Sequence, residues 1–169
     1  MEKTLGVLNQ LVRANLVEKY ALGGAFALLF YAEPALTYDL DVFLFLPRSR
    51  SAKKIIDLGP IYSFLRSRGY RAEKEHVLIE GIPVQMIPAY NSLVEEAVQK
   101  AKVKKYKGVS TRVVTLEHLL ALMIQTGRPK DKERIQPLLE GCKIDRKGLK
   151  KILERHDLRK KWEKEIGRI

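Results

Sequence analysis

The stretch from Tyr20 to Leu46, YALGGAFALLFYAEPALTYDLDVFLFL, sets the tightest limits on how this chain folds. Its last part, Val42-Phe43-Leu44-Phe45-Leu46, is dense in branched and aromatic residues and reads as a buried strand. Residues two apart in a strand share a face. Asp39 and Asp41 therefore present neighbouring carboxylates at the start of that strand, with Leu40 turned the other way. Two unpaired carboxylates repel each other and resist burial. A divalent cation between them removes the conflict, and hard oxygen ligands suit Mg²⁺. Upstream, Gly23 and Gly24 follow a short strand, Tyr20-Ala21-Leu22, and precede an apolar helix expected over Ala25 to Tyr31 and ended by Pro34. Lacking side chains, the two glycines let backbone N–H groups approach a phosphate where a helix dipole favours anions.

The text L-G-G-A-F-A-L-L-F-Y-A-E-P-A-L-T-Y-D-L-D-V resembles the polymerase-β-like nucleotidyltransferase superfamily, and most nearly its small prokaryotic branch, which includes toxin-type nucleotidyltransferases. The matching residues are Gly23, Gly24, Thr37, Asp39 and Asp41. A second signature of the same branch is T-L-E-H-L-L-A-L-M-I-Q-T-G-R-P-K-D-K-E-R-I, where a helix runs into R-x-K-D and then another helix; Arg128, Lys130 and Asp131 match it. The resemblance spans most of residues 20 to 140. It implies an α/β (α+β) fold with a small mixed sheet, packed helices and a C-terminal helical region. It also implies transfer of a nucleoside monophosphate from a nucleoside triphosphate to a hydroxyl acceptor, dependent on Mg²⁺ (or Mn²⁺). Asp39 and Asp41 are then the catalytic, metal-holding carboxylates. Gly23, Gly24, Thr37, Arg128 and Lys130 are the expected nucleotide contacts. In the toxin-type branch a toxin–antitoxin partner is also expected.

Three positions depart from the superfamily's pattern. The third carboxylate is expected on the strand Ile82-Pro83-Val84-Gln85-Met86-Ile87, and the residue with the right alternation is Gln85. Its amide oxygen can coordinate a cation but brings no charge. Glu73 and Glu75, on the other arm of the same hairpin, are the candidate substitutes. Met123 stands where a lysine usually meets the phosphates, and Ala35 where an arginine is common. Two functions follow. One is a nucleotidyltransferase enzyme. The other is a catalytically degenerate protein on that fold, binding nucleotide, nucleic acid or a partner protein.

The rest of the chain reads as support for this centre. Leu5, Leu8, Leu11, Val12 and Leu16 give Glu2 to Lys19 the spacing of a helix with one apolar face. Arg48, Ser49, Arg50, Ser51, Lys53 and Lys54 make a basic loop after the metal strand. Leu58 to Arg68 is expected as a helix stopped by Gly69. Tyr70 to Ile79 and Ile82 to Ile87 are expected as two strands joined by a tight turn at Glu80-Gly81. Asn91 is the expected cap of a helix through Lys102, leading into a basic run from Lys100 to Lys107. Val109 to Val114 is expected to be extended, and Thr115 to cap a helix over Leu116 to Gln125.

We divide the chain into a nucleotidyltransferase-like core, residues 1–114, and a basic helical region, residues 115–169. From Lys143 onward eleven Lys and Arg face five Asp and Glu. Leu149, Ile152, Leu153, Leu158, Trp162 and Ile166 outline a pair of short amphipathic helices broken near His156-Asp157. The basic outer face of this pair is the expected contact for RNA or DNA, in keeping with a whole-chain charge of +12. Cys142 is the single cysteine, which rules out an intrachain disulfide. His76, His118 and His156 are far apart in sequence and are expected as surface or packing residues. No apolar run is long enough for a membrane span, and a cytoplasmic location is expected.

Overall fold

The computed structural model of the protein describes residues 1–32, 39–47 and 56–167. Thr37, Pro34, Ala35 and the basic loop at residues 48–54 lie outside them, as do residues 168 and 169.

Eight helices and seven strands form among the described residues, in the order α1 (Glu2–Arg13), β1 (Lys19–Leu22), α2 (Gly24–Leu28), β2 (Leu40–Phe45), α3 (Gly59–Ser67), β3 (Arg71–Glu73), β4 (His76–Ile79), β5 (Ile82–Pro88), α4 (Ser92–Lys100), β6 (Lys102–Tyr106), β7 (Val109–Val113), α5 (Leu116–Thr126), α6 (Pro129–Gly141), α7 (Arg146–Arg155) and α8 (Arg159–Glu165). The strands make one mixed sheet ordered β3-β4-β5-β2-β1-β7-β6. At its centre β2 runs antiparallel to β1 and parallel to β5. This is the mixed sheet with packed helices that the sequence led us to expect.

Burial follows the alternation in β2. Leu40, Val42 and Leu44 share one face and are sealed from solvent, while Asp41 and Phe43 share the other. Helix α4 packs against β1 and β2, and α1 against β1 and β7. Of the apolar residues expected inside the C-terminal region, Leu149, Ile152, Leu153, Leu158 and Trp162 are buried and Ile166 is half-buried.

Several boundaries differ from the sequence reading. Helix α1 ends at Arg13 because Asn15 takes a left-handed backbone, φ 53°, and Lys19 already belongs to β1. Helix α2 ends at Leu28. Beyond it, Leu29, Phe30 and Tyr31 donate to the carbonyls three residues back, tightening the chain out of α-helix. Tyr70 to Ile79 is not one strand. It is a hairpin of β3 and β4, turned at Lys74, φ 54°. The basic run after α4 is a strand: α4 stops at Lys100, short of the expected Lys102, and β6 pairs antiparallel with β7 through a turn at Lys107-Gly108. The turn at Glu80-Gly81 forms as expected, with both residues at positive φ. Asn91 and Thr115 cap their helices, accepting from Val94 and His118 backbone N–H groups at 2.9 and 3.4 Å.

Candidate active site

The site is a single row across the sheet. Gly23 N–H donates to the Asp41 carbonyl at 2.9 Å. Asp41 pairs with Gln85 in the β2–β5 register. Gln85 pairs with His76 between β5 and β4, and His76 with Glu73 between β4 and β3. Directly opposed residues in a sheet share a face. One strip thus carries Asp41, Gln85, His76 and Glu73 side by side, with Asp39 at the entry to β2.

The glycine pair is required by this packing. A Cβ on Gly24 would stand 1.8 Å from Asp41 Oδ2, and Gly24 has φ +56°. A Cβ on Gly23 would stand 2.2 Å from the Phe43 ring. The start of α2 therefore lies directly over the Asp41 carboxylate, a closeness that only glycine permits.

Asp41 is half-buried, and Asp39 is more exposed. Burial, and then the Asp39 carboxylate, push the Asp41 carboxyl above the usual carboxylate range. Arg128 and His76 pull it back, and Asp131 adds to the upward push. The second signature thus meets the first in space. Arg128 caps α6 next to Gly127, which closes α5 in a left-handed backbone, φ 65°. Asp131 is engaged locally: Thr126 Oγ1 donates to its Oδ2 at 3.0 Å, and Arg134 lies 4.0 Å away. Lys130 is exposed in the first turn of α6. Met123 is buried within α5.

The carboxylates considered as substitutes behave differently. Glu73 is exposed at the outer end of the row. Glu75 reaches the site, because its Oε2 accepts from Gln85 Nε2 at 3.3 Å. That bond turns the Gln85 amide nitrogen toward Glu75 and leaves its oxygen for other partners.

His76 is the site residue that sequence reasoning missed. Its Nε2 is 3.7 Å from Asp39 Oδ2, beyond hydrogen-bond distance. The same atom is buried and has no hydrogen-bond partner among the described residues. The donor types along this row are two carboxylates, an amide oxygen and an orphaned imidazole nitrogen, whose chemistry suits a divalent cation. Among the described residues, no group of three or more His, Cys, Asp or Glu side chains is arranged to hold a metal ion.

The other two histidines, separate in sequence, meet away from this row. Glu96 on α4 accepts from Arg155 and lies 2.7 Å from His156 Nε2 and 3.6 Å from His118 Nε2. Although burial pushes the Glu96 carboxyl up, its hydrogen bonds with His156 and Arg155 hold its pKa at about 2. Burial lowers the His118 pKa against the opposing pull of Glu96. The cluster ties α4, α5 and α7 together.

This architecture is the polymerase-β-like nucleotidyltransferase fold. It is shared with the antibiotic-resistance factor ANT(2'')-Ia in its solution structure, with a TM-score of 0.55, 13% identity, and 94% of this chain and 92% of that chain covered. An antigenic nucleotidyltransferase-like protein from Paracoccidioides brasiliensis matches with a TM-score of 0.56 and 15% identity over 95% of this chain and 90% of that one. ANT(2'')-Ia in complex with adenylyl-2''-tobramycin matches with a TM-score of 0.53 and 15% identity over 92% and 94%. At these identities the likeness is one of fold. No protein-family model matches the sequence, and no curated protein matches it. No helix among the described residues is long and apolar enough to cross a membrane.

Proposed function

We propose that this chain is a nucleotidyltransferase that moves a nucleoside monophosphate from a nucleoside triphosphate to a hydroxyl acceptor. The observation that carries this reading is the Asp41 carboxylate. It is half-buried against Gly24, crowded by Asp39 and drawn back toward ionisation by Arg128. Such a group is costly to keep unless it holds positive charge.

Asp39 and Asp41, with the Gln85 amide oxygen, would hold Mg²⁺ or Mn²⁺. A bound cation supplies charge neutralisation for the attacking and leaving oxygens. The chain's own residues do the positioning. Gly24 lets the start of α2 close over the Asp41 carboxylate, and Gly23 lets it pass the Phe43 ring. Arg128 sets a positive charge beside that site, and Lys130, in the first turn of α6, adds a second. In the transfer the acceptor oxygen bonds to the α-phosphorus, the bond to the bridging oxygen breaks, pyrophosphate leaves, and the hydroxyl proton passes to solvent. Fixed positioning and fixed charge account for most of the rate enhancement available to such a site.

The acceptor is a hydroxyl on a small molecule, protein or RNA. A neighbour of this fold is bound to an adenylylated aminoglycoside, which makes aminoglycosides a natural class to include in a panel. Exposed Lys147, Lys150, Lys151, Lys160 and Lys164 on α7 and α8 favour a nucleic acid. Arg155 and Arg159 are already paired with Glu96, Glu154 and Glu163. Incubation with α-labelled nucleotides, Mg²⁺ or Mn²⁺ and a panel of aminoglycosides, transfer RNA and proteins tests the reading. Label transfer with stoichiometric pyrophosphate supports it. Metal-dependent nucleotide binding with no transfer to any acceptor favours the second reading, a binding protein that has lost turnover. That second reading rests on Gln85 in place of a carboxylate and Met123 buried in place of a lysine.

A further inference from the structure

The proposed site has one donor that the reading above leaves unused. His76 sits in the same cross-sheet row as Asp41 and Gln85, one strand beyond Gln85. Its ring is near enough to act electrostatically on Asp41. Its Nε2 is buried, lacks a hydrogen-bond partner among the described residues, and faces Asp39 at 3.7 Å. A buried polar atom without a partner is costly and calls for an explanation. The Gln85 amide nitrogen between them donates to Glu75, and His76 Nε2 receives no hydrogen bond from it.

We propose that His76 is a protein ligand of the cation held by Asp39 and Asp41, its Nε2 filling the coordination position that Gln85 leaves without a third carboxylate. This rests on the metal-site reading above and adds a nitrogen donor to it. The imidazole binds as a neutral ligand. One nitrogen among the oxygens makes the site a better match for Mn²⁺ than for Mg²⁺, because imidazole suits transition metals and Mg²⁺ holds to oxygen. It also restricts the site's charge: two carboxylates against a divalent cation give neutrality without a third anion.

Pulsed electron paramagnetic resonance of Mn²⁺ on the full chain tests this directly. The probe is Mn²⁺ alone and Mn²⁺ with inorganic triphosphate, neither of which carries nitrogen. The expected result is modulation from a directly bonded ¹⁴N that becomes ¹⁵N when histidine is ¹⁵N-labelled. In His76→Gln, shown folded by circular dichroism, that signal is lost and Mn²⁺ binds about tenfold or more weakly, with a smaller change for Mg²⁺. Two results overturn the proposal. Mn²⁺ bound in wild type, lost in Asp39→Asn/Asp41→Asn, yet without nitrogen modulation, removes His76 and leaves the carboxylate site standing. No Mn²⁺ bound by the folded wild type removes both.

Discussion

Gly24 and Asp41 are in such close approach that a methyl group on the glycine would fall 1.8 Å from the aspartate Oδ2. The glycine and the carboxylate are thus one packing unit. Gly24→Ala carries two penalties: a strained backbone at φ +56° and the clash itself. Backbone strain alone costs roughly 1–3 kcal/mol. Gly69→Ala, at φ +85° with open space around it, isolates the strain from the clash. Urea unfolding should show Gly24→Ala as the more destabilising of the two. Equal losses would mean that Asp41 moves aside without cost.

Asp41 should be a stability liability in the metal-free protein. Its pKa is raised above the unfolded value by burial and by Asp39. A carboxyl raised in this way contributes fully below its unfolded pKa, and the contribution is lost as pH rises through the folded pKa. Asp41→Asn should therefore unfold at higher urea than wild type at pH 7, with the gain vanishing near pH 3. Saturating Mn²⁺ should reverse the order at pH 7. A variant less stable at pH 7 without metal would contradict the electrostatic account.

The features of this site carried by local pattern were legible in the sequence. The Asp39-x-Asp41 strand, the glycine pair, the Glu80-Gly81 turn and the Asn91 and Thr115 caps each depend on neighbours within a few residues. Gln85 came from the resemblance, which points to the strand Ile82 to Ile87, and from alternation within it; the β2–β5 register sets it opposite Asp41. His76 was not legible, because its place depends on a turn at Lys74-Glu75 that has no glycine, asparagine or aspartate to mark it. With that turn missed, β3 and β4 merged into one strand and no residue could be set beside Gln85. Strand β6 was hidden by its lysines, which favour strands poorly. Its signal was present in Lys107-Gly108, a turn of the same form as Glu80-Gly81. The meeting of His118 and His156 at Glu96 is purely tertiary, and no spacing foretells it.

That cluster predicts how the fold responds to acid. The Glu96 pKa is held at about 2 against an ordinary 4.5. A lowered carboxyl stabilises above its unfolded pKa, and that stabilisation fades as pH falls from about 4.5 to about 2. His118, lowered from 6.5, adds a loss on the same acid side, beginning as pH falls below its unfolded value. Glu96→Gln should lower stability at pH 7 by about 1.5–3 kcal/mol, since it weakens charged hydrogen bonds. It should also flatten the pH dependence between about 4.5 and about 2. Thermal melts across that range check both; an unchanged slope would show that the carboxylate is not the titrating group.

Arg128 should matter more than Lys130. Of the two, only Arg128 is seen to act on Asp41, and it does so from the cap of α6. Arg128→Gln should weaken Mg²⁺–nucleotide binding by about tenfold or more, the scale of a lost charged hydrogen bond. Lys130→Gln should have a smaller effect that fades with added salt. Titrations at two ionic strengths separate the two.

The most direct test of the central claim is a calorimetric titration of ATP, GTP, CTP and UTP with Mg²⁺ into wild type and into Asp39→Asn/Asp41→Asn. The account predicts metal-dependent binding of at least one nucleotide to wild type, and its loss in the folded double variant. No binding of any nucleotide by folded wild type, or equal binding by the variant, would contradict the assignment of this row as a nucleotidyl-transfer site.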